Sequence, residues 1–240
     1  MRSPLEFRFE PKAHKYFLGS IELPGITWVL KDNGFLTEHS YDPDSLRRGK
    51  LVHLLCQYLD ENDLDWGQVP DELMGYVIAW ERFIKQTGFR PLAIEKPRYH
   101  PLFMFAGTPD RDGIFPDGTK ALIEIKTGKV TAAAALQMAA QELLIGEPRR
   151  RMAIELSPNG LWKPSAFHNH QDKNMFLSAL SISNWRIKHG LTSKEKHHEQ
   201  PRIRDGQDGN LNTRDGSEAF GKFDPGPRHV LESRTILTQH

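Results

Sequence analysis

The sequence has few of the features that define secreted, metal-cluster or membrane proteins. It contains one cysteine, Cys56, which excludes an intramolecular disulfide framework and an all-cysteine iron–sulfur cluster. No apolar run approaches the roughly 18 residues needed to cross a bilayer, and residues 1–17 lack the apolar segment of a signal peptide. We therefore expect a cytoplasmic protein with no membrane partner.

The sequence also lacks an excess of charge of either sign. It has 32 Lys and Arg against 31 Asp and Glu, which gives a net charge of +1. This balance does not indicate a nucleic-acid-binding protein, but it does not exclude one, because a local basic face is sufficient. The run Arg149, Arg150 and Arg151 is one such local feature. The sequence has no Walker A phosphate loop, so helicase activity would need a separate protein.

The hydrophobic pattern and the turn residues predict the element order β-β-α-α-β-β-β-α-β-β-α. Residues 6–30 predict a hairpin with its turn at Gly19-Ser20, followed by an apolar segment. Thr131 and Gly146 are expected to begin and end the clearest helix. The remaining elements are helices at 42–62, 70–88 and 171–190, one strand at 90–100, and strand pairs within 105–128 and 150–167.

This order is typical of the α/β or α+β class, with a mixed central β-sheet flanked by helices. After about residue 190 the composition changes: residues 191–240 are polar, aperiodic and rich in Gly, Asp and Arg. Such a segment predicts a disordered tail. We therefore expect one folded domain over residues 1–190, followed by this tail.

The strand-like stretch Phe105–Gly128 places three carboxylates and a lysine where a β-rich core would be expected: Asp110, Asp112, Glu124 and Lys126. If it folds as a hairpin about Pro116-Asp117-Gly118, Asp110 lies opposite Glu124, because the two are equally far from the centre of the turn. Side chains alternate along a strand, so Lys126 shares their face and the opposite face is aliphatic. The spacing thus predicts a cluster of two carboxylates and one ammonium.

Two carboxylates held this close repel each other unless a proton or a cation lies between them. Mg²⁺ prefers oxygen ligands and retains water, and Lys126 would help to hold or activate a bound water for attack on a phosphodiester. The alternative is a solvated strand face with offsetting charges, which the hydrophobic neighbours of the strand disfavour. Asp112 lies on the same face, and geometry alone does not separate it from Asp110.

The segments "GTPD", "IEIKTG" and "LQMAAQELL" resemble the core of the PD-(D/E)XK nuclease superfamily, specifically its RecB-like and lambda-exonuclease-like members. The resemblance covers about residues 12–190 and implies a restriction-endonuclease-like core. It implies that Asp110 and Glu124 are metal ligands, that the carbonyl of Ile125 contacts the metal, and that Lys126 is the catalytic lysine. It favours Asp110 over Asp112, because Asp110 ends the "GTPD" segment.

Two further metal contacts are implied less directly. "LRRGKLVHLL" resembles the G-x-x-x-H helix of RecB-type nucleases, in which the histidine, here His53, lies near the metal. Gly49 shares its helix face and is expected to allow close packing toward the sheet. Glu95 lies on the strand where similar nucleases place another acidic residue. The alternatives are a structural histidine bonded to the backbone and a solvent-facing glutamate paired with Lys96 or Arg98.

The resemblance also assigns Gln137 on the Ala-rich helix to the active site or the DNA backbone, with an exposed glutamine stripe shared with Gln141 as the alternative. The residues Arg47, Arg48 and Lys50 flank the histidine motif and are candidates for phosphate binding. Surface solvation is the commoner explanation for such a run.

Together these features predict a Mg²⁺-dependent DNA nuclease in which Mn²⁺ can substitute. The resemblance favours an exonuclease of recombination, repair or phage DNA metabolism, in a bacterial or phage-infected cell. The alternatives are a structure- or sequence-specific endonuclease and a non-catalytic DNA-binding module that retains the fold. DNA is the expected partner, and a recombination or helicase protein is a candidate second one.

Overall fold

The computed structural model describes residues 5–36 and 42–191. The expected tail, residues 191–240, lies outside the described residues except for Leu191. The described strands are β1 Phe7–Glu10, β2 Lys15–Leu18, β3 Ile21–Leu23, β4 Arg90–Ile94, β5 Arg98–His100, β6 Phe105–Gly107, β7 Arg111–Ile114, β8 Lys120–Lys126, β9 Arg150–Leu156 and β10 Trp162–Phe167. The described helices are α1 Ile26–Asp32, α2 Pro43–Asp60, α3 Asp71–Thr87, α4 Ala133–Ile145 and α5 Gln171–Lys188, with a short 3₁₀ turn at Trp66–Gln68.

The centre of the fold is a five-stranded sheet in the order β10-β9-β8-β7-β4. Strands β8 and β9 are parallel, and the other neighbouring pairs are antiparallel. Helix α4 makes the crossover that a parallel pair requires. The protein therefore has a mixed central sheet flanked by helices, consistent with a restriction-endonuclease-like core, and the predicted fold class is confirmed.

Two groups of helices cover the sheet. Helices α2 and α3 pack on the face that carries Ala121, Ile123 and Ile125, where Trp80 and Phe83 are fully buried. Helix α4 packs on the other face, against β8 and β9, and shares a second apolar core with α1 and α5. None of the described helices is both long and apolar enough to cross a membrane.

The N-terminal region differs from the expected hairpin and apolar segment. The turn at Gly19-Ser20 is confirmed, but it joins β2 to β3 within a three-stranded sheet, and the apolar segment is helix α1. Sequence reasoning missed this helix because β-branched residues have low helix propensity and the helix has only seven residues. It is stabilised by tertiary burial of Ile26, Val29 and Leu30.

The predicted single strand at 90–100 is also wrong. It is two strands in different sheets, since β4 pairs with β7 and β5 pairs with β6. The break falls at Glu95, which has a φ of 43° and donates its N–H to the carbonyl of Asp110 at 3.0 Å. Lys96 precedes Pro97, so a helical conformation is disfavoured at Lys96. Nothing in the sequence indicated the positive φ of Glu95. This kink aims Glu95 at the site.

The other predicted helices are confirmed to within a few residues. Helix α3 ends at Gly88 and α4 at Gly146, each with a positive φ that favours glycine. The expected cap of α4 is wrong: the N-cap is Ala132, and the Thr131 carbonyl, not its side chain, accepts the first hydrogen bond, from the N–H of Ala134. Tertiary packing of the alanine-rich face fixes this helix without a side-chain cap.

Candidate active site

The β7–β8 hairpin has the predicted register. Arg111 pairs with Ile123 and Asp112 with Leu122, so the next position places Asp110 opposite Glu124. The turn lies at residues 115–119, where Phe115 and Thr119 are joined by a backbone hydrogen bond of 3.0 Å. The strict alternation of the strand then separates a charged face from an aliphatic face.

Asp110 is buried, with 8% of its surface exposed. Its Oδ2 accepts a hydrogen bond of 2.7 Å from the backbone N–H of Ile125, which fixes the carboxylate against β8. Burial, followed by the charge of Glu124, raises the pKa of Asp110 to about 6. Ionisation of Asp110 is therefore unfavourable in this environment, and a nearby cation would offset that cost.

Glu124 is 3% exposed and is held by three donors. Lys126 Nζ lies 2.9 Å and Gln137 Nε2 lies 2.6 Å from its Oε1, while Gln141 Nε2 lies 2.7 Å from its Oε2. Burial alone would raise the pKa of Glu124, but Lys126 and the hydrogen bonds outweigh it and lower that pKa. Lys126 Nζ also lies 3.3 Å from Gln137 Oε1. The helix α4 thus fixes the carboxylate and the ammonium together.

His53, on α2, lies beneath the same peptide. Its Nε2 is 3.1 Å from the carbonyl of Ile125, and because a carbonyl only accepts, Nε2 is the donor. Its Nδ1 faces two carboxylates, Glu95 at 3.6 Å and Asp110 at 3.7 Å. Burial lowers the pKa of His53, but Asp110 and Glu95 outweigh it and raise the pKa to about 9. The two carboxylates beside Nδ1 therefore favour the protonated form of His53.

Glu95 joins the site through the kink after β4. Burial raises its pKa, but the nearby His53 and, after it, Arg111 outweigh burial, and the pKa of Glu95 is lowered. Its Oε1 is buried and has no hydrogen-bond partner in the described part of the chain, although His53 and Arg111 both lie 3.6 Å away. The Glu95 carboxylate therefore lies between two basic side chains, with its Oε1 left without a hydrogen bond.

The candidate donors of this site are carboxylate and carbonyl oxygens, the type of ligand that a hard divalent ion prefers. Among residues 5–36 and 42–191, no group of three or more His, Cys, Asp and Glu side chains is arranged to hold a metal ion. Mg²⁺, however, is commonly held by one or two carboxylates and retains several waters. Asp110, Glu124 and the carbonyl of Ile125 supply such an oxygen set, and a zinc site would need more nitrogen or sulfur ligands. Ligation by His53 would require it to lose a proton.

The predicted basic residues lie along the first half of α2. Arg47 and Lys50 are exposed, whereas Arg48 is half-buried and donates to Ser45 Oγ at 3.1 Å. Arg48 also lies over the ring of Tyr76. The structure therefore gives Arg48 an intramolecular role, and the phosphate-binding assignment of all three residues stays a prediction.

Asp112, the alternative to Asp110, lies away from the carboxylate pair. Its Oδ1 accepts from Arg149 Nε at 2.8 Å, which uses the first residue of the basic run. Arg151, the last residue of that run, is buried with Glu142 and Asp172. Both arginines therefore hold the fold together.

Three residues around the site were not among those assigned from the sequence: Gln141, Asp60 and Arg111. Gln141 lies one helical turn from Gln137, and both donate to Glu124, so the sequence-based assignment of Gln137 alone was incomplete. Arg111 falls on the aliphatic face of the hairpin, where an arginine requires a buried partner. That signal was present in the sequence, but its partner Asp60 could not be found without the contact between α2 and β7.

Comparison with known proteins gives a limited result. No protein-family model matches the chain, and no curated protein matches it in sequence. Among solved structures, it is similar to the crystal structure of an alkaline exonuclease (LHK-Exo) from Laribacter hongkongensis. The identity is 19%, the TM-score is 0.35, and the match covers 69% of this chain and 91% of that chain. A likeness at this level assigns neither an activity nor site residues to the present protein.

Proposed function

We propose that this protein is a Mg²⁺-dependent DNA nuclease of the PD-(D/E)XK superfamily. The observation that carries the proposal is the burial of Asp110 and Glu124 on one face of a hairpin, with Lys126 bonded to Glu124. Two buried carboxylates can hold a metal ion, which would stabilise charge and lower the pKa of water, and an ammonium with access to solvent can assist. Mn²⁺ should substitute, because it shares the preference for oxygen ligands.

Each residue has a defined task in this proposal. Asp110, Glu124 and the Ile125 carbonyl would hold the ion, with His53 and Glu95 beside them. The ion, when bound, supplies charge stabilisation at the phosphate and lowers the pKa of water. Water attacks phosphorus in line with the departing 3′ oxygen, and a 5′-phosphate is left.

Lys126 and Gln137 form the part of the site that faces the substrate. The Lys126 side chain is 31% exposed, so its ammonium can contact a phosphate or the attacking water while it balances Glu124. Gln137 bonds both Glu124 and Lys126 and thereby sets the position of the ammonium. Removal of Lys126 should therefore reduce the rate of hydrolysis more than it reduces stability.

Exonuclease action is the preferred form of the activity, on the basis of the sequence resemblance, with DNA as substrate and a recombination or helicase protein as a candidate partner. A structure- or sequence-specific endonuclease has the same chemistry. A non-catalytic DNA-binding module is disfavoured, because binding alone does not require two buried carboxylates beside a lysine.

The test is cleavage of end-labelled linear DNA and of closed circular DNA with Mg²⁺, Mn²⁺ or EDTA. Wild type is compared with Lys126→Ala and with Lys163→Ala, which removes an exposed lysine from β10. We expect metal-dependent loss of the linear substrate only, abolished in Lys126→Ala and retained in Lys163→Ala. Cutting of the circle would establish an endonuclease. Gel-shift binding without cleavage in any metal would show a binding module and overturn the proposal.

A further inference from the structure

A buried arginine lies directly behind the carboxylate pair. Arg111 follows Asp110 in the chain, points to the aliphatic face and is fully buried. Its Nε lies 2.5 Å from Asp60 Oδ2, and its Nη1 donates to the carbonyl of Asp110 at 2.8 Å. One guanidinium therefore holds the main chain at Asp110 from the side opposite to the site.

Asp60 anchors this guanidinium to two helices. It is the last residue of α2, the helix that also carries His53, and its side chain is 2% exposed. Its Oδ1 accepts a hydrogen bond of 2.9 Å from Trp80 Nε1 on α3. The position of α2, and with it His53, is thus tied to Arg111.

Arg111 also contacts the third acidic residue of the site. Its Nη1 lies 3.6 Å from Glu95 Oε1, and the N–H of Glu95 donates to the same Asp110 carbonyl that Arg111 binds. The elements that carry His53, Asp110 and Glu95 therefore meet at one guanidinium. Because these elements are α2, the start of β7 and the kink after β4, no local sequence signal holds them together.

Stability alone is a poor explanation for this network. Replacing a buried ion pair by apolar residues of similar volume is often neutral or stabilising. Arg111 Nη2 has no hydrogen-bond partner among the described residues, and an unsatisfied buried donor is unfavourable. A network that leaves a buried donor without a partner is better explained by its effect on the positions of Asp110 and Glu95.

We propose that Arg111, anchored by Asp60, is a positioning residue for the metal-binding carboxylates Asp110 and Glu95. The proposal rests on the proposed function, since it assigns Arg111 a role toward the ion that the carboxylates would hold. Outer contacts that orient ligands typically change metal affinity by about 10- to 100-fold when they are removed. Loss of the Arg111 contacts should therefore weaken metal binding even though Arg111 does not touch the metal.

The chain offers a matched control in Arg151. This arginine is also buried, at 4% side-chain exposure, and it pairs with two carboxylates, Glu142 at 3.5 Å and Asp172 at 3.2 Å. Its partners lie on α4 and α5 and are not among the proposed ligands. A substitution there disturbs a buried ion pair of the same kind without a contact to Asp110 or Glu95.

The experiment measures Mn²⁺ affinity by calorimetry, together with thermal unfolding in EDTA and cleavage as a function of Mn²⁺ concentration. The proteins are wild type, Arg111→Lys, Asp60→Asn and Arg151→Lys. We expect Mn²⁺ affinity to fall about 10- to 100-fold in the first two variants, with cleavage partly recovered at high Mn²⁺. Arg151→Lys should lose thermal stability but keep the wild-type Mn²⁺ affinity.

The outcomes separate the two proposals. If wild type neither binds Mn²⁺ nor cleaves DNA, the proposed function fails and the role of Arg111 fails with it. If wild type does both, but Arg111→Lys and Asp60→Asn bind Mn²⁺ as wild type does, only the positioning role is overturned. Equal weakening in Arg151→Lys would also overturn it. If Arg111→Lys does not fold, Asp60→Asn, which keeps the acceptor for Trp80, tests the positioning role by itself. If neither variant folds, Arg111 has a structural role only, and the proposal is overturned.

Discussion

Two neighbouring residues at the centre of strand β8 are buried to a similar extent but are chemically opposite. Ile123 is 0% exposed on the face covered by α2 and α3, and Glu124 is 3% exposed on the face covered by α4. Burial of Ile123 is favourable by itself, whereas Glu124 needs donors from Lys126, Gln137 and Gln141 to offset its desolvation. One face of a single strand therefore supplies stability, and the other holds charge that stability does not require.

The largest expected effect comes from removing charge on the charged face. Asp110→Asn keeps an oxygen for the Ile125 N–H, but it removes one of the two carboxylates proposed to hold the metal. Cleavage should fall about 1,000-fold, because a metal supplies several kcal/mol of transition-state stabilisation and each ~1.4 kcal/mol is tenfold in rate. The measurement is the single-turnover rate at saturating Mn²⁺.

Stability should change in the opposite direction in the same variant. The raised pKa of Asp110, about 6, means that its ionised form costs more free energy in the folded state than in the unfolded chain. Asp110→Asn should therefore increase the free energy of unfolding in EDTA at pH 7 by about 1–3 kcal/mol. A loss of stability in EDTA would show that neighbouring groups already offset the cost of burying the Asp110 carboxylate without metal. It would contradict the conclusion that the charged face of β8 does not contribute to stability.

The second largest effect tests the aliphatic face. Ile123→Ala should lower the free energy of unfolding by about 2–5 kcal/mol, since it leaves a cavity among α2, α3 and the sheet. The cleavage rate per folded molecule should stay close to that of wild type. Urea unfolding with parallel rate measurements checks both, and a rate that falls as far as in Asp110→Asn would mean that the two faces are not separable.

The hairpin was predictable because its signals are local. The turn at Pro116-Asp117-Gly118 and the alternation of Glu124, Ile125 and Lys126 fix the register, and a shift by one residue would bury the wrong set. The helices ending at Gly88 and Gly146 were predictable for the same reason, since glycine with a positive φ ends a helix within one turn.

What the sequence did not reveal depends on contacts between distant segments. Arg111 and Asp60 are 51 residues apart, and only the packing of α2 on the sheet joins them. The kink at Glu95 is fixed by its hydrogen bond to Asp110 across the sheet. Helix α1 forms against α4 and α5 despite β-branched residues. In each case a tertiary contact fixes a conformation or a pairing that the local sequence pattern does not predict.

A third prediction uses the pH dependence that only the charged face should show. The pKa of His53 is raised to about 9, so the folded state binds a proton more tightly than the unfolded chain does. This stabilisation is fully present below about pH 6.5, the ordinary value for histidine, and is lost as the pH rises through about 9. In EDTA, the free energy of unfolding should fall by about 1–3 kcal/mol over this range.

The control for this prediction is His53→Asn, because other groups also titrate near pH 9. The difference between wild type and the variant isolates the contribution of His53. We expect the difference to be large at pH 6.5 and to shrink toward pH 9. A difference that does not change with pH would show that His53 is neutral in the metal-free protein and that Asp110 and Glu95 are compensated in another way.

The smallest expected effect concerns the helices over the aliphatic face, and it corrects the reason given for Gly49. A Cβ at Gly49 would meet Thr127 Oγ1 at 3.7 Å, an ordinary contact, so close packing does not require glycine there. Gly75, on α3, is the matched contrast, because a Cβ there would lie 1.7 Å from the carbonyl oxygen of Pro158. Gly49→Ala should raise the free energy of unfolding by about 0.5–1 kcal/mol, since glycine is unfavourable inside a helix, whereas Gly75→Ala should lower it. Urea unfolding of both variants checks the sign of each change. If Gly49→Ala is destabilised instead, α2 packs more tightly against the end of β8 than the 3.7 Å distance to Thr127 Oγ1 indicates.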